Sequence, residues 1–300
     1  MTRHRIDPGD GRVLLVEEGG DADGIPVLVL HGTPGCGGLY RPHLEDASAR
    51  GIRLLGYDRA GYGGSTRNPG RSVADVAGDV AAIADALGID RLATWGISGG
   101  APHALACAAR LPERVVAAVA LASPAPHDAE GLDWTAGMGE DNVVEFGAAL
   151  EGEAALRPVL ERWSAEVLEA GPAGLRDGMA TLLSGPDAAV LTDELAEHLY
   201  DGFAGGLAPG IGGWLDDDLA FVSPWHVDLG SIAVPTLLWQ GAEDRFVPPA
   251  HAPWLAARIP GVELRLTAED GHLTLYEHRI PEVHAWLVDR WQDRLIARRS

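Results

Sequence analysis

Gly96-Ile97-Ser98-Gly99-Gly100 joins a strand-like run, Arg91-Leu92-Ala93-Thr94-Trp95, to a helix-like run, Ala101-Pro102-His103-Ala104-Leu105-Ala106. This junction constrains the chain more than any other segment. A G-x-S-x-G pentapeptide between a strand and a helix fits a sharp turn that leaves its serine exposed. A serine hydroxyl is a poor nucleophile unless it stands beside a base with amides facing the developing oxyanion. The turn supplies the exposure, and the helix start supplies free N–H groups. The same five residues also suit a glycine-rich loop with an idle serine, so the decision rests on partners elsewhere.

The rest of the chain alternates short apolar runs with helical patterns, the signature of a mainly parallel sheet covered by helices. Arg12–Glu18, Val27–Leu30, Arg53–Tyr57, Leu92–Gly96 and Val115–Ala122 read as strands, and Thr236–Gln240 and Val262–Leu266 resume the rhythm later. Ser72 followed by Asp75 reads as a helix start with a hydroxyl cap and an acid at the third position. Val73, Val76, Val80, Ile83 and Leu87 then recur at helical spacing, and Gly88 closes that helix. Pro102 is tolerable after Ser98 because it falls in a first turn. Ile280–Ala297 is a closing amphipathic helix.

Strand-like runs vanish between about residues 128 and 228. Ala/Leu/Glu-rich stretches such as Glu145–Leu156 and Ala188–Tyr200 replace them, separated by loops at Gly171-Pro172 and Gly205–Gly210. The expected organisation is a core of residues 1–127 and 229–300 with a helical cap inserted at 128–228, because the sheet needs both flanks. Three hundred residues suit that plan. A formal charge of −21 leaves no basic excess for phosphates or an anionic membrane, so nucleic-acid and membrane partners are not expected. Basic residues at the N-terminus have no apolar run behind them, and Val115–Ala122, the most hydrophobic stretch, is strand-sized. Cys36 and Cys107 lack CxxC or metal-ligand spacing. Together these features lead us to expect a cytoplasmic protein, monomeric or homodimeric, needing no metal or organic cofactor.

A nucleophilic Ser98 needs a general base, and the base needs an orienting carboxylate. After Thr236–Gln240 comes Gly241-Ala242-Glu243-Asp244; after Val262–Leu266 comes Thr267-Ala268-Glu269-Asp270-Gly271-His272. In an open parallel sheet the loops at the carboxyl ends of strands share one edge, so Ser98, Asp244 and His272 converge there. Asp244 has rivals in Glu243, Asp270 and the Asp216-Asp217-Asp218 run. A turn directly after a strand holds a carboxylate rigidly, whereas the triple-aspartate run reads as a solvated loop, so Asp244 is favoured. His31-Gly32-Thr33-Pro34-Gly35 follows a strand too, and the amides of Thr33 and Gly99 are the expected oxyanion donors. His31 reads as a structural residue holding that loop.

His31–Gly35, Asp58-Arg59-Ala60-Gly61-Tyr62-Gly63-Gly64-Ser65, Gly96–Gly100, Asp244 and His272 together make the chain resemble the α/β-hydrolase superfamily. The resemblance covers almost the whole chain. It implies an α/β-hydrolase fold: a mostly parallel eight-stranded sheet flanked by helices, with an inserted cap. Relatives similar to haloalkane dehalogenases and epoxide hydrolases carry an aspartate where this chain has Ser98, so the resemblance implies acyl transfer through serine. The likeness to proline iminopeptidase-like members is partial, because their H-G-G-P-G loop contrasts with Thr33 here, and Ile97 departs from their elbow. A small or medium apolar carboxylic ester is the leading substrate class. A peptide or amide is second, with Glu140, Asp141, Glu145, Glu151 and Glu153 as candidate ammonium partners. A catalytically silent ligand-binding member is a further alternative. Trp134, Met138, Phe146, Trp163, Trp214 and Trp225 are the candidate pocket residues, of which about a third is expected to reach the cavity.

Overall fold

In the computed structural model, which describes residues 1–297, the apolar runs of the sequence assemble into one sheet. Its strands are β1 (Thr2–Ile6), β2 (Leu14–Gly20), β3 (Ile25–Leu30), β4 (Ile52–Tyr57), β5 (Leu92–Ile97), β6 (Val115–Leu121), β7 (Thr236–Gly241) and β8 (Glu263–Thr267). The spatial order is β1-β2-β4-β3-β5-β6-β7-β8. β1 and β2 pair antiparallel, as do β2 and β4, and every other pairing is parallel. This is the expected mostly parallel eight-stranded sheet. All residues of β5, β6 and β7 are buried, which is why these runs lack alternation.

β1 was not legible as a strand. Its basic residues are matched across the pair: Arg3 lies opposite Glu17 and donates to it at 2.6 Å, and His4 Nε2 meets Glu18 at 2.7 Å. Charge pairing across two strands stabilises such an edge without an apolar pattern.

Helices cover both faces. On one, Val76, Val80 and Ile83 of the Val76–Ala86 helix pack in the same cluster as Leu28, Leu30 and Leu105. On the other, Ile280, Val283 and Leu287 of the Ile280–Ala297 helix pack with Val27, Ala93 and Trp95. The Ser72 cap is present: the Asp75 carboxylate accepts from the Ser72 backbone N–H at 2.7 Å and its hydroxyl at 2.9 Å. The turn it starts is a 3-10 turn, Val73–Asp75, that leads into the α-helix.

Between β6 and β7 the chain carries helices Glu140–Glu151, Glu153–Gly178, Gly185–Val190, Asp193–Leu207 and Gly212–Phe221. Their boundaries differ from the periodicity reading. Glu145–Leu156 spans two helices, broken at Gly152, whose φ of 100° no helix accommodates. Ala188–Tyr200 is likewise split, with Thr192 capping the second piece. Gly171-Pro172 is a kink inside Glu153–Gly178, not a loop, and Gly205-Gly206 lies within Asp193–Leu207. The Asp216-Asp217-Asp218 run is not a solvated loop either. It sits on the Gly212–Phe221 helix with all three side chains buried.

Candidate active site

Ser98 leaves β5 with φ 54°, a conformation rare for a residue with a side chain, and begins a 3-10 turn that continues as the Ala101–Arg110 helix. The flanking glycines make this turn possible. A methyl at Gly96 would strike the Gly100 carbonyl, and one at Gly100 would strike the Leu30 and His31 carbonyls. The strain is held because β5 and the helix are packed on every side.

β7 and β8 lie parallel to β5 in the sheet, so the loops that follow them open on the same edge. There His272 Nδ1 lies 2.8 Å from Asp244 Oδ2. An ionised carboxylate only accepts, so Nδ1 carries the proton and Nε2 keeps its lone pair. Asp244 is itself fixed: Oδ1 accepts from the amides of Phe246 at 2.8 Å and Val247 at 2.9 Å, and Oδ2 from Gln240 Nε2 at 3.0 Å. The Phe246 ring stacks on His272 with centroids 4.4 Å apart. Burial pulls the His272 pKa down, but the charge and hydrogen bond of Asp244, with a contribution from Asp187, outweigh it and leave the imidazole above its ordinary value. The rival carboxylates are elsewhere: Glu243 is exposed, and Asp270 accepts from Arg279 at 2.8 Å.

Ser98 and His272 line one cavity of about 140 Å³, though among the described residues no hydrogen bond joins them. In unliganded sites this contact is often loose. A larger cavity of about 480 Å³ meets the first at Ser98 and is lined by Thr33, Gly99, Trp134, Met138 and Phe146 among others. Trp163 and Trp214 also line it, so five of the six candidate pocket residues reach it, more than expected. Trp225 does not. It is 3% exposed in the core cluster behind the sheet edge and donates its Nε1–H to the Phe221 carbonyl at 3.3 Å. An indole is large enough to serve a core as well as a pocket.

Thr33 and Gly99 face each other: a methyl at Gly99 would run into the Thr33 hydroxyl. The loop bearing Thr33 is held by His31, whose Nδ1–H donates to the Gly32 carbonyl at 2.7 Å and whose Nε2 accepts from the Arg59 amide at 3.1 Å. Burial and the Arg59 charge keep His31 well below the ordinary imidazole pKa, which matches a neutral structural ring.

Sequence reasoning missed the residue on which this loop converges. Asp217, fully buried, accepts from Thr33 Oγ1 at 2.7 Å, Tyr62 Oη at 2.8 Å, Arg59 at 2.5 Å and Arg71 at 2.6 Å. Burial works against its charge, but Arg59 and Arg71 hold its pKa well below the usual carboxylate range. Beside it, Asp216 receives the Arg67 fork at 2.8 and 2.9 Å. The available signal was a set of three arginines at 59, 67 and 71 with no acid of matching position in their own segment.

Asp218 differs. It lines the larger cavity with Glu145, and among the described residues no N–H donates to either of its oxygens. Glu145 accepts from Trp214 Nε1 at 2.5 Å. Burial raises the pKa of both carboxyls; Glu145 pushes that of Asp218 further up, while the hydrogen bonds of Asp218 and Trp214 to Glu145 work against the rise there. Of the other acids weighed as ammonium partners, Asp141 lines the cavity, while Glu140, Glu151 and Glu153 are exposed.

The arrangement assembles what acyl transfer uses: a half-buried hydroxyl that lines both cavities, an imidazole with a free lone pair, a fixed carboxylate, and two backbone segments meeting beside the hydroxyl. The family described as alpha/beta hydrolase fold matches residues 25–147. A protein named carbamate hydrolase in Azorhizobium caulinodans is 38% identical over 106 residues, 32% of this chain and 40% of that one. A proline iminopeptidase of Neisseria meningitidis is 26% identical over 282 residues, 85% of each chain. Among solved structures, a thermophilic esterase from Thermogutta terrifontis superposes with a TM-score of 0.70 over 97% of this chain and 99% of that chain, at 22% identity.

Proposed function

We propose that the chain is a serine hydrolase of the α/β-hydrolase superfamily, cleaving a carboxylic ester of a small or medium apolar substrate; the family match over residues 25–147 and the fold shared with the esterase support this reading. The observation that carries this reading is the Asp244–His272 hydrogen bond facing the cavity into which the strained Ser98 turn projects. In the reaction, His272 Nε2 removes the Ser98 proton as Oγ attacks the ester carbonyl carbon. The amides of Thr33 and Gly99 receive the oxyanion, and Asp244 stabilises the imidazolium. The imidazolium returns its proton to the leaving alkoxide, and a water activated by His272 then releases the acid from the acyl-serine. The helical segment between β6 and β7 serves as a cap that walls the substrate cavity.

The two cavities divide the substrate. The leaving oxygen takes its proton from His272, so the alcohol departs on the His272 side. His272 lines only the smaller cavity, with Cys36, His198 and Tyr276, while the larger one, with Trp134, Phe146, Trp163 and Trp214 among its walls, is free for the acyl chain. The preferred ester thus has a small alcohol and a longer acyl group. A second reading, an aminopeptidase or amidase, is favoured by one feature, the Glu145–Asp218–Asp141 group in the larger cavity, which suits a substrate ammonium. Titrimetric hydrolysis of ethyl esters against release from proline and alanine arylamides tests the choice. Faster turnover of the arylamides would reverse it, and no turnover of either would favour a ligand-binding role.

A further inference from the structure

Asp187 takes no part in the chemistry above, yet its side chain is fully buried. It belongs to the Gly185–Val190 helix of the inserted segment. Its Oδ2 accepts the His272 backbone N–H at 3.0 Å, and its Oδ1 accepts those of Leu273 at 2.7 Å and Thr274 at 3.2 Å. Ser184 Oγ donates to Oδ2 at 2.9 Å. The approach is close: a methyl at Gly271 would collide with this carboxylate and with Ser184 Oγ.

We propose that Asp187 is a positioning residue for His272, an acid supplied by the inserted helices that fixes the backbone from which the imidazole is presented to Ser98. The proposal rests on His272 being the base. Asp244 holds the ring at Nδ1, but where Nε2 then points depends on the position of the Cα that carries the ring. The three amides open a short helix and have no acceptor within it. A neighbouring residue in sequence is the usual cap. Here the acceptor comes from 85 residues upstream of His272, from a helix of the inserted segment. The base is therefore anchored on two sides, to the sheet through Asp244 and to the inserted helices through Asp187. The inserted segment then completes the site as well as walling it.

Asp187→Ala and Asp187→Asn, assayed for ethyl ester hydrolysis and for fluorophosphonate labelling, test this. Misplacing a reacting group by about 1 Å costs on the order of 100-fold, so Asp187→Ala should lower kcat by about 10- to 100-fold. KM should stay within about three-fold of wild type, and labelling should slow in parallel with kcat. The two carboxylates acting on His272 are Asp244 and Asp187, so loss of one moves the acid limb of kcat/KM to lower pH. Asp187→Asn keeps an acceptor oxygen and should recover part of kcat while retaining the shifted limb. Wild-type kcat with an unmoved limb in both variants, or a change in KM alone, overturns the proposal. If Asp187→Ala does not fold, Asp187→Asn and Gly271→Ala carry the test, the latter losing kcat because its methyl displaces the carboxylate. Wild-type protein that never labels would instead refute the serine mechanism itself.

Discussion

Replacing Asp217 by alanine should damage stability and catalysis together, and the structure sets the size of both. The carboxylate neutralises Arg59, 2% exposed at its side chain, and Arg71, 5% exposed, and also accepts from Tyr62 and Thr33. Removing one partner of a buried ion pair leaves uncompensated charge and costs about 3–5 kcal/mol. Here two guanidinium groups lose their counter-charge, so the upper part of that range applies. For a chain of this size that corresponds to a fall in melting temperature on the order of 10 °C. Freed of Asp217, the Thr33 hydroxyl loses the carboxylate it donates to and the arginines around the loop lose their anchor. In the proposed mechanism this displaces the Thr33 amide, and a lost oxyanion donor costs about 3 kcal/mol, or roughly two orders of magnitude in kcat. Differential scanning calorimetry and ester kinetics read the two effects. Asp216→Ala is the control: its partner Arg67 is 36% exposed and can turn to water, so the loss should be markedly smaller. An Asp217→Ala protein within about 1 kcal/mol of wild type and with unaltered kcat would show that the network does not hold this loop. The sign with pH follows from the depressed folded-state pKa. The Asp217 contribution is fully present above the unfolded value near 3.9 and is lost as pH falls through the lower folded value.

In the proposed mechanism the neutral imidazole is the base, and Asp244 raises its pKa, so kcat/KM should fall as pH drops through a midpoint above the ordinary value of 6.5. A pH–rate profile with its acid limb below that value would contradict the Asp244–His272 coupling. In a matrix of esters, lengthening the acyl chain on an ethyl ester should be tolerated, whereas enlarging the alcohol to tert-butyl or benzyl on a fixed acid should depress kcat/KM. The reverse ranking would exchange the two cavities.

What the sequence made legible were features whose signal is local. β5 and β6 are continuous apolar runs, and the residues that follow parallel strands must share an edge, so Ser98, Asp244 and His272 could be brought together from spacing alone. Ser72 and Asp75 cap each other within one turn. The parts that stayed hidden depend on partners distant in the chain. Asp217 reads as a solvated acid until Arg59 and Arg71, far upstream, are brought against it by the fold. Asp187 is one acid among many until its oxygens meet the amides after Gly271. Trp225 carries the same composition signal as Trp214, and only packing separates the core indole from the cavity one. Burial of a carboxylate is decided by its counter-charges, and a single sequence does not say where those come to lie.

Mass spectrometry of the protein after reaction with a fluorophosphonate, with the adduct mapped to a peptide, interrogates the nucleophile without any choice of substrate. We expect a single adduct on Ser98, absent from Ser98→Ala, slowed by about 10⁴-fold or more in His272→Ala, and accompanied by complete loss of ester turnover. An unmodified wild-type chain, or an adduct on any other residue, would contradict the assignment of Ser98 as the attacking group.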